Sequence, residues 1–405
     1  MKNEILVCNS GSSSLKLDVF RSGESLEYLA SASVDRIGQK QGATSTLEVE
    51  IPDQDTYQEE DQFEDHRSAL LRISAILEKE GVFLENHRMA VGHRVVHGGP
   101  GITRPVIIDK DIEQTIEECA LYAPLHNPAN LNGIKVAREL FQCPQVAVFD
   151  TAFHAKMPAP ARTYAIPLDL ATKHGIQRYG FHGTSHGYVA EIAARNLNRA
   201  AQDVNLITLH LGNGASACAI HNGISIDTSM GFTPLEGLIM GTRSGDLDPA
   251  IVAYLQEKEQ LIFQEVDTLL NRQSGLLGLG GASDMRDLLE KEKQGDQNAA
   301  LAVDAFCYRV RKYIGAYFAA IGDPVDAIVF TAGIGENSPV IRERIMKNLF
   351  ADRIYFDREL NERSLESREG NLLTKEHSPV AVYAIPTDEE WMIARLARDL
   401  LLSAD

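Results

Sequence analysis

The sequence is poor in cysteine and has no long apolar run. Its five cysteines lie far apart and form no Cys-x-x-Cys pair, which argues against a disulfide framework or a structural zinc site. No stretch approaches the roughly 18 apolar residues of a membrane helix, and the apolar residues 5–8 are too few for the core of a signal peptide. We therefore expect a cytoplasmic protein with reduced thiols and no membrane partner.

Basic patches are missing as well. The 405 residues carry a net charge of −18, and no cluster of Lys and Arg counters it, which argues against nucleic acid as a partner. With 44% hydrophobic and 24% charged residues, the composition is that of a globular protein long enough for two or three domains. A phosphate ligand would need a few local cations helped by a metal ion.

Two strand–turn–strand patterns lie about half a chain apart. An apolar segment at 5–8 enters the turn Asn-Ser-Gly-Ser-Ser-Ser at 9–14, and another at 206–211 enters Gly-Asn-Gly-Ala-Ser at 212–216. Glycine permits close backbone approach, and Ser and Asn add hydrogen-bonding groups without bulk, so each turn can present N–H groups to an anion. The repeat predicts a duplicated domain that binds phosphate.

A third glycine turn follows the apolar strand 327–330. Gly-Ile-Gly-Glu-Asn at 333–337 precedes Ser338 and Pro339, which are typical of a helix start, so the helix N-terminus is expected to face the ligand. None of the three turns matches the Gly-x-x-x-x-Gly-Lys-Ser/Thr loop. The usual strand–loop–helix nucleotide fold is therefore not expected.

Strands and helices alternate through the rest of the chain, which indicates an α/β fold in two halves. The apolar strand 145–149 ends on Asp150, where ligands of open α/β sheets gather. Apolar spacing predicts helices over 68–80, 186–197, 297–321 and 389–400, the last packing back onto the first half. Residues 35–66 are interpreted as a strand with a variable excursion.

Several longer motifs resemble the acetate kinase family. They follow the family order from residue 5 to about 395, and comprise the three glycine turns with His-Arg-Val-Val-His-Gly-Gly at 93–99, Pro-Leu-His-Asn-Pro at 124–128, Asp-Thr-Ala-Phe-His at 150–154, Arg-Tyr-Gly-Phe-His-Gly-Thr-Ser-His at 178–186 and Met-Gly-Thr-Arg-Ser-Gly-Asp at 240–246. The resemblance implies a duplicated actin-like ATPase fold with a nucleotide cleft between two domains, one of residues 1–150 plus about 387–405 and one of 151–386. It also implies ATP or ADP as co-substrate, Mg²⁺ with Mn²⁺ as a substitute, and a homodimer.

The implied reaction is reversible in-line transfer of a phosphoryl group from ATP to acetate, giving acetyl phosphate and ADP. A carboxylate acceptor with a pKa near that of Glu, about 4.3, is already ionised at neutral pH and needs no general base. The barrier lies in bringing two anions together and stabilising the equatorial oxygens. Arg94 and Arg243 fit that need, because a guanidinium fork holds carboxylate and phosphoryl oxygens bidentately.

By this resemblance the catalytic residues are Asp150, His182 and Arg243, and the acceptor-binding residues are Arg94, Val96, Leu125, Phe181 and Pro234. Arg94 would bind the carboxylate, and the other four would enclose the methyl group. His182 and Arg243 would stabilise the transferring group. Asp150 has three open roles: a base, an acid that orients metal-bound water and the cations, or a structural cap. We favour the second because the acceptor is already ionised.

The resemblance implies Asn9 and Glu389 as the metal ligands. The chain departs from the usual Thr-Asn-Glu-Glu by having Thr-Asp-Glu-Glu at 387–390, and the extra carboxylate of Asp388 leaves Glu390 as an alternative to Glu389. The implied nucleotide-binding residues are Lys16, His210, Leu211, Gly212, Asn213, Gly214, Asp284, Met285, Arg286, Gly333, Ile334, Gly335, Glu336 and Asn337. The segment 284–286 could also be a plain helix cap.

Two alternatives stay open at this stage. A kinase for a slightly longer acid, propionate or butyrate, differs only by methylenes in an apolar pocket, each worth about 1–3 kcal/mol. An actin-like or chaperone-like ATPase would use the phosphate turns without phosphorylating a small molecule. That function has no use for Arg94, Arg243 or the Phe181–His182 loop.

Overall fold

The structure, a computed structural model, describes residues 3–38, 44–82, 88–124 and 126–403. The strands are β1 (Glu4–Ser10), β2 (Ser14–Ser22), β3 (Leu26–Asp35), β4 (Ser45–Glu50), β5 (Tyr57–Asp61), β6 (Arg88–Val95), β7 (Val106–Ile107), β8 (Gln145–Phe149), β9 (Leu206–Leu211), β10 (Ala215–His221), β11 (Ile224–Thr228), β12 (Ala327–Thr331), β13 (Asn371–Leu372) and β14 (Ala381–Ala384). The helices are α1 (His66–Lys79), α2 (Lys110–Glu118), α3 (Asn127–Leu140), α4 (Ala159–Arg162), α5 (Leu168–His174), α6 (Gly183–Asn196), α7 (Ala250–Lys258), α8 (Phe263–Arg272), α9 (Gly275–Gly280), α10 (Met285–Lys293), α11 (Gln297–Ile321), α12 (Ala332–Asn337), α13 (Pro339–Met346), α14 (Arg358–Asn361) and α15 (Glu389–Leu402). Short 3₁₀ helices cover Cys119–Leu121, Ala152–His154 and Ala201–Asp203.

The chain divides into two compact units. Unit 1 comprises Met1–Ala152 and Asp388–Asp405, and unit 2 comprises Phe153–Thr387. Helix α15 therefore belongs to the unit that begins at the opposite end of the chain. Within the described ranges, every helix is too short or too polar to span a bilayer.

The sheets of the two units share a core topology. Unit 1 has the strand order β5-β4-β3-β2-β1-β6-β8-β7, and unit 2 has β11-β10-β9-β12-β14-β13. In unit 1, β1 forms a hairpin with β2 and lies parallel to β6, and β6 lies parallel to β8. In unit 2, β9 forms a hairpin with β10 and lies parallel to β12, and β12 lies parallel to β14. The predicted α/β fold with duplicated halves is confirmed.

Strand β1 is buried on both faces because helices cover both sides of its sheet. Leu6 and Cys8 join one apolar cluster with residues of α1 and α3. Ile5 and Val7 point to the other face, in a cluster with Ile393 and two alanines of α15. A continuous apolar run is typical of such a central strand, and it was the basis of the sequence prediction.

The central strands of unit 2 are buried along their whole length. Every residue of β9 and β12 is buried, and the 25-residue helix α11 buries residues such as Val303, Phe306, Val310 and Ile314 at helical spacing. Asp296 caps the start of this helix by accepting from two backbone N–H groups, and Gly322, with φ 71°, ends it. The predicted bounds of 297–321 are confirmed because both helix-end signals are local.

Two segments differ from the sequence expectation. The region 35–66 contains β4, which pairs with β3, and β5, which pairs with β4, so both strands extend the sheet. The sequence Tyr-Gln-Glu-Glu-Asp of β5 has no apolar alternation because it forms the sheet edge and is mostly exposed. Residues 333–337, predicted as an open turn, belong to helix α12, which begins with Ala332 in the left-handed region at φ 64°.

Candidate functional site

Three neighbouring parallel strands of unit 1 end at predicted site residues. Asn9 lies near the end of β1, and Arg94 near the end of β6, opposite Val148 of β8. Asp150 directly follows β8, and its backbone N–H donates to the Val95 carbonyl at 2.9 Å. Because the carboxyl ends of parallel strands meet at one edge of a sheet, these side chains gather there.

Arg94 and Asp150 form a two-point ion pair at this edge. Nε of Arg94 donates to Oδ1 of Asp150 at 3.0 Å and Nη2 donates to Oδ2 at 2.9 Å, with Glu389 Oε2 3.6 Å from Nη2. Burial alone would lower the pKa of Arg94, but Asp150 and Glu389 raise it above its ordinary value. Both oxygens of Asp150 therefore hold the guanidinium, and the Nη1 group faces away from this pair.

This geometry changes one expectation from the sequence. The bidentate partner of Arg94 within unit 1 is Asp150, so an acceptor carboxylate would contact the remaining N–H donors of the guanidinium. Each carboxylate oxygen of Asp150 accepts one hydrogen bond from the guanidinium, a contact that holds the cation and that a base role does not need. Of its three open roles, orientation of the cation fits the contacts best.

Lys16 lies in a second group of charges in unit 1. Its ammonium is 2.9 Å from Glu390 Oε1 and 3.5 Å from Asp18 Oδ2. Glu389 and Glu390 thus have different partners, Arg94 and Lys16, although they are adjacent in sequence. Asp388, the departure from the family pattern, is the N-cap of α15 and accepts from the backbone N–H of Trp391 at 3.0 Å.

Asp18 gives a pH-dependent prediction for unit 1. Burial raises its pKa from 3.8 to about 7, although Lys16 acts in the opposite direction. A carboxyl group with a higher pKa in the folded state takes up a proton on folding, so its contribution to stability is lost as the pH rises from about 4 to about 7. Replacing it, D18N, should remove this contribution and make unit 1 more stable than wild type at about pH 8.

The measurement is urea unfolding at several pH values, followed by the fluorescence of Trp391. This is the only tryptophan in the chain, and it packs beside the core of unit 1, so it reports that unit. A stability difference between D18N and wild type that stays constant from pH 4 to pH 8 would contradict the prediction.

The predicted metal ligands in unit 1 form a sparse donor set. No group of three or more His, Cys, Asp or Glu side chains with metal-binding geometry occurs among the described residues. One amide, Asn9, and one carboxylate, Glu389, suit a hard cation that keeps several waters and also binds substrate phosphates, as Mg²⁺ does. The residues therefore fit Mg²⁺ held together with a nucleotide.

In unit 2, His182 and Arg243 flank one glycine. A Cβ placed on Gly214 would lie 3.3 Å from Nη2 of Arg243 and 3.5 Å from Nε2 of His182. Arg243 Nη1 donates to the Pro234 carbonyl at 2.8 Å, and no ion pair joins this arginine to a carboxylate within the described ranges. Burial lowers its pKa. A half-buried cation without an anionic partner is placed for an anionic ligand.

His182 has an unusual backbone conformation. It precedes α6 in the left-handed region, with φ 55° and ψ 28°, which is uncommon for a residue with a side chain and often found at functional sites. Its ring stacks on His210, with centroids 4.1 Å apart. His210 Nδ1 is 2.8 Å from the hydroxyl of Ser185, and Thr387 donates to the same hydroxyl.

A second network fixes the loop that carries Pro234. Arg178 donates to Glu236 Oε1 at 2.6 Å and to the Thr228 carbonyl at 2.9 Å, and Tyr164 donates to Glu236 Oε2. The hydroxyl of Tyr164 also accepts from the backbone N–H of Phe232 at 2.9 Å. This network holds the segment whose carbonyl contacts Arg243.

A cavity of about 750 Å³ in unit 2 brings the predicted nucleotide segments together. Eight of the residues predicted to bind the nucleotide line this cavity: Gly212, Asn213, Asp284, Met285, Arg286, Gly333, Ile334 and Asn337. Ser338 and Pro339, the helix start expected to face the ligand, also line it, and the lining residues not predicted from the sequence are Ser283, Leu289, Lys293 and Val340. All but Leu289 and Lys293 adjoin a predicted segment, and these two lie on α10, one and two helical turns after Met285.

Other predicted nucleotide residues of unit 2 lie outside this lining. His210, Leu211, Gly214, Gly335 and Glu336 are described but do not line the cavity. The carboxylate of Glu336 instead accepts from the backbone N–H groups of Ala332 at 2.7 Å and Thr387 at 3.0 Å. Asp284 caps α10 and pairs with Arg286, so the capping interpretation of this segment holds alongside its place in the lining.

The predicted methyl-pocket residues divide between the units. Val96 in unit 1 is buried, and its N–H donates to Asn130 at 3.2 Å. Phe181 in unit 2 is buried, and its carbonyl lies 3.0 Å from Nε2 of His154. Leu125 lies outside the described residues.

Comparison with known proteins assigns the family. The model of the acetokinase family matches residues 4–395. The chain is 46% identical to the acetate kinase of Trichlorobacter lovleyi, over 95% of this chain and 92% of that protein. It is 47% identical to the acetate kinase of Streptomyces avermitilis, over 96% of each.

Solved structures agree on the fold. The acetate kinase of Porphyromonas gingivalis has a TM-score of 0.90 and 40% identity, covering 98% of this chain and 100% of that one. A propionate kinase from Francisella tularensis also has a TM-score of 0.90, with 39% identity and coverage of 98% and 99%. The predicted family and fold class are confirmed, and the chain belongs to the acetokinase family, whose members are kinases.

Proposed function

We propose that this chain transfers the γ-phosphoryl group of Mg·ATP to acetate, reversibly giving acetyl phosphate and ADP. The observation that carries the proposal is the pair Arg243 and His182, whose Nη2 and Nε2 atoms flank Gly214. Neither a plain phosphate-binding turn nor a motor-like ATPase accounts for a half-buried guanidinium that no carboxylate of the described residues pairs with. Phosphoryl transfer does, because charge must be stabilised on the equatorial oxygens.

In this mechanism one acetate oxygen bonds to the γ-phosphorus as the bridging oxygen leaves with ADP. No proton moves, because acetate is ionised at neutral pH. Arg94 holds the acetate carboxylate through donors that Asp150 does not use, and Asp150 keeps the guanidinium in place. Arg243 and His182 donate hydrogen bonds to the oxygens of the phosphoryl group while it is transferred. The enzyme's contribution is positioning and electrostatics.

Asn9 and Glu389 are the proposed protein ligands of Mg²⁺, with Mn²⁺ as a substitute. When bound, the ion would neutralise charge on the nucleotide phosphates. Glu389 is suited to this because its carboxylate lies within 3.6 Å of Arg94 and so can join the metal to the acceptor side of the reaction.

A nucleotide is favoured over pyrophosphate as the phosphoryl donor. The cavity of about 750 Å³ is larger than a phosphate chain requires, and Met285, Leu289, Ile334 and Val340 give it apolar walls. Apolar walls with a few polar groups are typical of sites for a nucleoside. Gly212 and Asn213 at the same cavity belong to the turn proposed to hold the phosphates.

The test is acyl phosphate formation, trapped as hydroxamate, with Mg·ATP and acetate, propionate or butyrate. We expect acetate to have the largest kcat/KM. The value for propionate should be lower by roughly tenfold, because its additional methylene has to fit into a small pocket. The equal likeness to a propionate kinase structure makes a larger value for propionate the specific rival outcome. No hydroxamate with any acid, together with ATP hydrolysis, would support an actin-like ATPase instead.

We infer that the protein is a homodimer. Helices α7 and α8 and the residue before α8 expose large apolar side chains, namely Tyr254, Phe263 and Ile262, each at least 60% exposed. An apolar surface of this kind is typical of a protein interface. Light scattering during gel filtration should give twice the chain mass of 44.5 kDa, and a mass of one chain at micromolar concentration would contradict the inference.

A cytoplasmic location belongs to the same proposal. None of the five cysteines, all of them among the described residues, forms a disulfide bond, which suits a reducing compartment. Cell fractionation that recovers the activity outside the cytoplasm would contradict it.

A further inference from the structure

Ser216 links the proposed catalytic His182 to a second, deeply buried histidine. The Ser216 hydroxyl is 2.9 Å from Nδ1 of His182 and 2.8 Å from Nε2 of His186. Nδ1 of His186 is in turn 2.7 Å from the hydroxyl of Thr208. His186, Ser216 and Thr208 all have 0% exposure. The four side chains thus form a continuous row of hydrogen bonds that ends at His182.

The number of protons limits how this row can be arranged. The hydroxyl of Ser216 has one proton and two lone pairs, and within the described ranges the two imidazoles are its hydrogen-bond partners. If it accepted from both rings, its own buried proton would have no acceptor, so it donates to one imidazole and accepts from the other. Burial holds the pKa of His186 well below its ordinary value, so this ring is neutral and has a single N–H. Only two arrangements remain, and they run in opposite directions along the row.

In the first arrangement, Thr208 donates to Nδ1 of His186, Nε2–H of His186 donates to Ser216, and Ser216 donates to Nδ1 of His182. In the second arrangement every bond is reversed, and Thr208 must give its proton to another acceptor. The side chain opposite it on the neighbouring strand is Cys218, and burial raises the pKa of this thiol to about 12. A neutral thiol sulfur is a weak acceptor compared with an imidazole nitrogen, so the first arrangement is favoured.

We propose that Ser216 and His186 are positioning residues that keep the proton of neutral His182 on Nε2. Nε2 is the atom that lies beside Gly214 together with Nη2 of Arg243. The row therefore points an N–H donor from His182 toward the same space as the guanidinium. The stacked ring of His210 at 4.1 Å fixes the plane of His182 but does not choose which nitrogen is protonated.

The consequence for the reaction rests on the proposed function. An Nε2–H donor can stabilise an equatorial phosphoryl oxygen without a proton transfer, whereas an unprotonated Nε2 would repel it. Removing the row should lower kcat by roughly 10- to 100-fold, by analogy with the loss when the group that orients a metal-binding histidine is removed. KM should change little, because the lost interaction belongs to the transition state.

The direct test is ¹⁵N NMR of histidine-labelled protein, with the His182 signals assigned by their loss in H182Q. In wild type at neutral pH, Nδ1 should have the shift of an unprotonated nitrogen and Nε2 that of a protonated one. In S216A the two tautomers should mix, and kcat should fall. T208V, which keeps the shape of the side chain but removes its hydroxyl, should change the tautomer signals in the same direction with a smaller loss of kcat.

S225A is the matched control. Ser225 is equally buried, and its hydroxyl is 2.7 Å from Nδ1 of another buried histidine, His154, and 3.2 Å from the sulfur of Cys218, but within the described ranges no hydrogen bond joins it to a side chain of the row. It should lose stability similar to S216A and leave the His182 tautomer unchanged. Two outcomes would overturn the proposal. One is a proton on Nδ1 of His182 in the wild-type protein, and the other is an S216A variant whose His182 tautomer and kcat are the same as those of wild type. Since the NMR result needs no turnover, it stands apart from any failure of the hydroxamate assay.

Discussion

Substituting Arg243 with alanine is expected to lower kcat by about 10³-fold, within the range reported when a transition-state arginine or oxyanion donor is removed. KM values for ATP and acetate should change far less, because the guanidinium acts on charge that develops during transfer. Steady-state kinetics in both directions measure the effect. R243K should recover only part of the rate, since an ammonium lacks the planar fork.

The stability of R243A should separate this role from a structural one. The substitution removes a half-buried charge with no carboxylate partner in the described ranges, and one hydrogen bond to the Pro234 carbonyl, worth about 0.5–1.5 kcal/mol. These effects oppose each other, so unfolding should change by no more than about 1 kcal/mol.

The control for R243A is R344A, another arginine of unit 2. Arg344 forms a bidentate pair with Glu292 at 2.9 and 2.8 Å and takes part in no site contact, so R344A should keep wild-type kcat. A tenfold loss or less in R243A would mean that the arginine does not stabilise the transferring group.

Among the substitutions R94A, D150A and R21A of unit 1, R94A should lower the free energy of unfolding the most. R94A removes the guanidinium that contacts both Asp150, which is 2% exposed, and Glu389, which is 14% exposed. Removing one partner of a buried ion pair typically destabilises by about 3–5 kcal/mol. D150A should destabilise less, because Glu389 still neutralises Arg94. The double variant R94A/D150A should be more stable than R94A alone, since it removes the buried carboxylate together with its cation.

Urea unfolding followed by Trp391 fluorescence measures all three variants in unit 1 itself. R21A is the control, because the Arg21–Glu27 pair at 3.1 Å is exposed on both sides and should be worth at most about 1 kcal/mol. Hydroxamate assays should show that both R94A and D150A raise the KM for acetate. Two results would show that Arg94 and Asp150 do not act as a coupled pair. One is a change in the free energy of unfolding of the double variant equal to the sum of the two single changes, and the other is an R94A variant that is no less stable than R21A.

Much of the fold could be predicted because its signals are local. The bounds of α11 follow from Asp296 and Gly322 at its ends, and β1 follows from four consecutive apolar residues. Strand β5 could not be predicted in this way, because an edge strand with both faces exposed has no apolar pattern. Its place in the sheet depends on pairing with β4, which the sequence of the strand does not encode.

The site shows the same division between local and distant information. Glycine turns and motifs identify which side chains are available, and most of the lining of the cavity lies in or next to those motifs. Partners are set by the tertiary fold: Asp150 is 56 residues from Arg94, and Ser216 is 34 residues from His182. The different partners of Glu389 and Glu390 are likewise visible only in the structure.

Helix α15 has a consequence for how the protein is made. Unit 2 is one continuous segment, whereas unit 1 needs residues from both ends of the chain. During synthesis on the ribosome, Ile5 and Val7 remain uncovered until Ile393 has been synthesised and can pack on them. One face of the first sheet is therefore exposed to solvent while unit 2 can already fold. Glu389 emerges with the same helix. The nascent chain therefore acquires these core contacts and its proposed metal carboxylate together, and cannot become active before α15 has been synthesised.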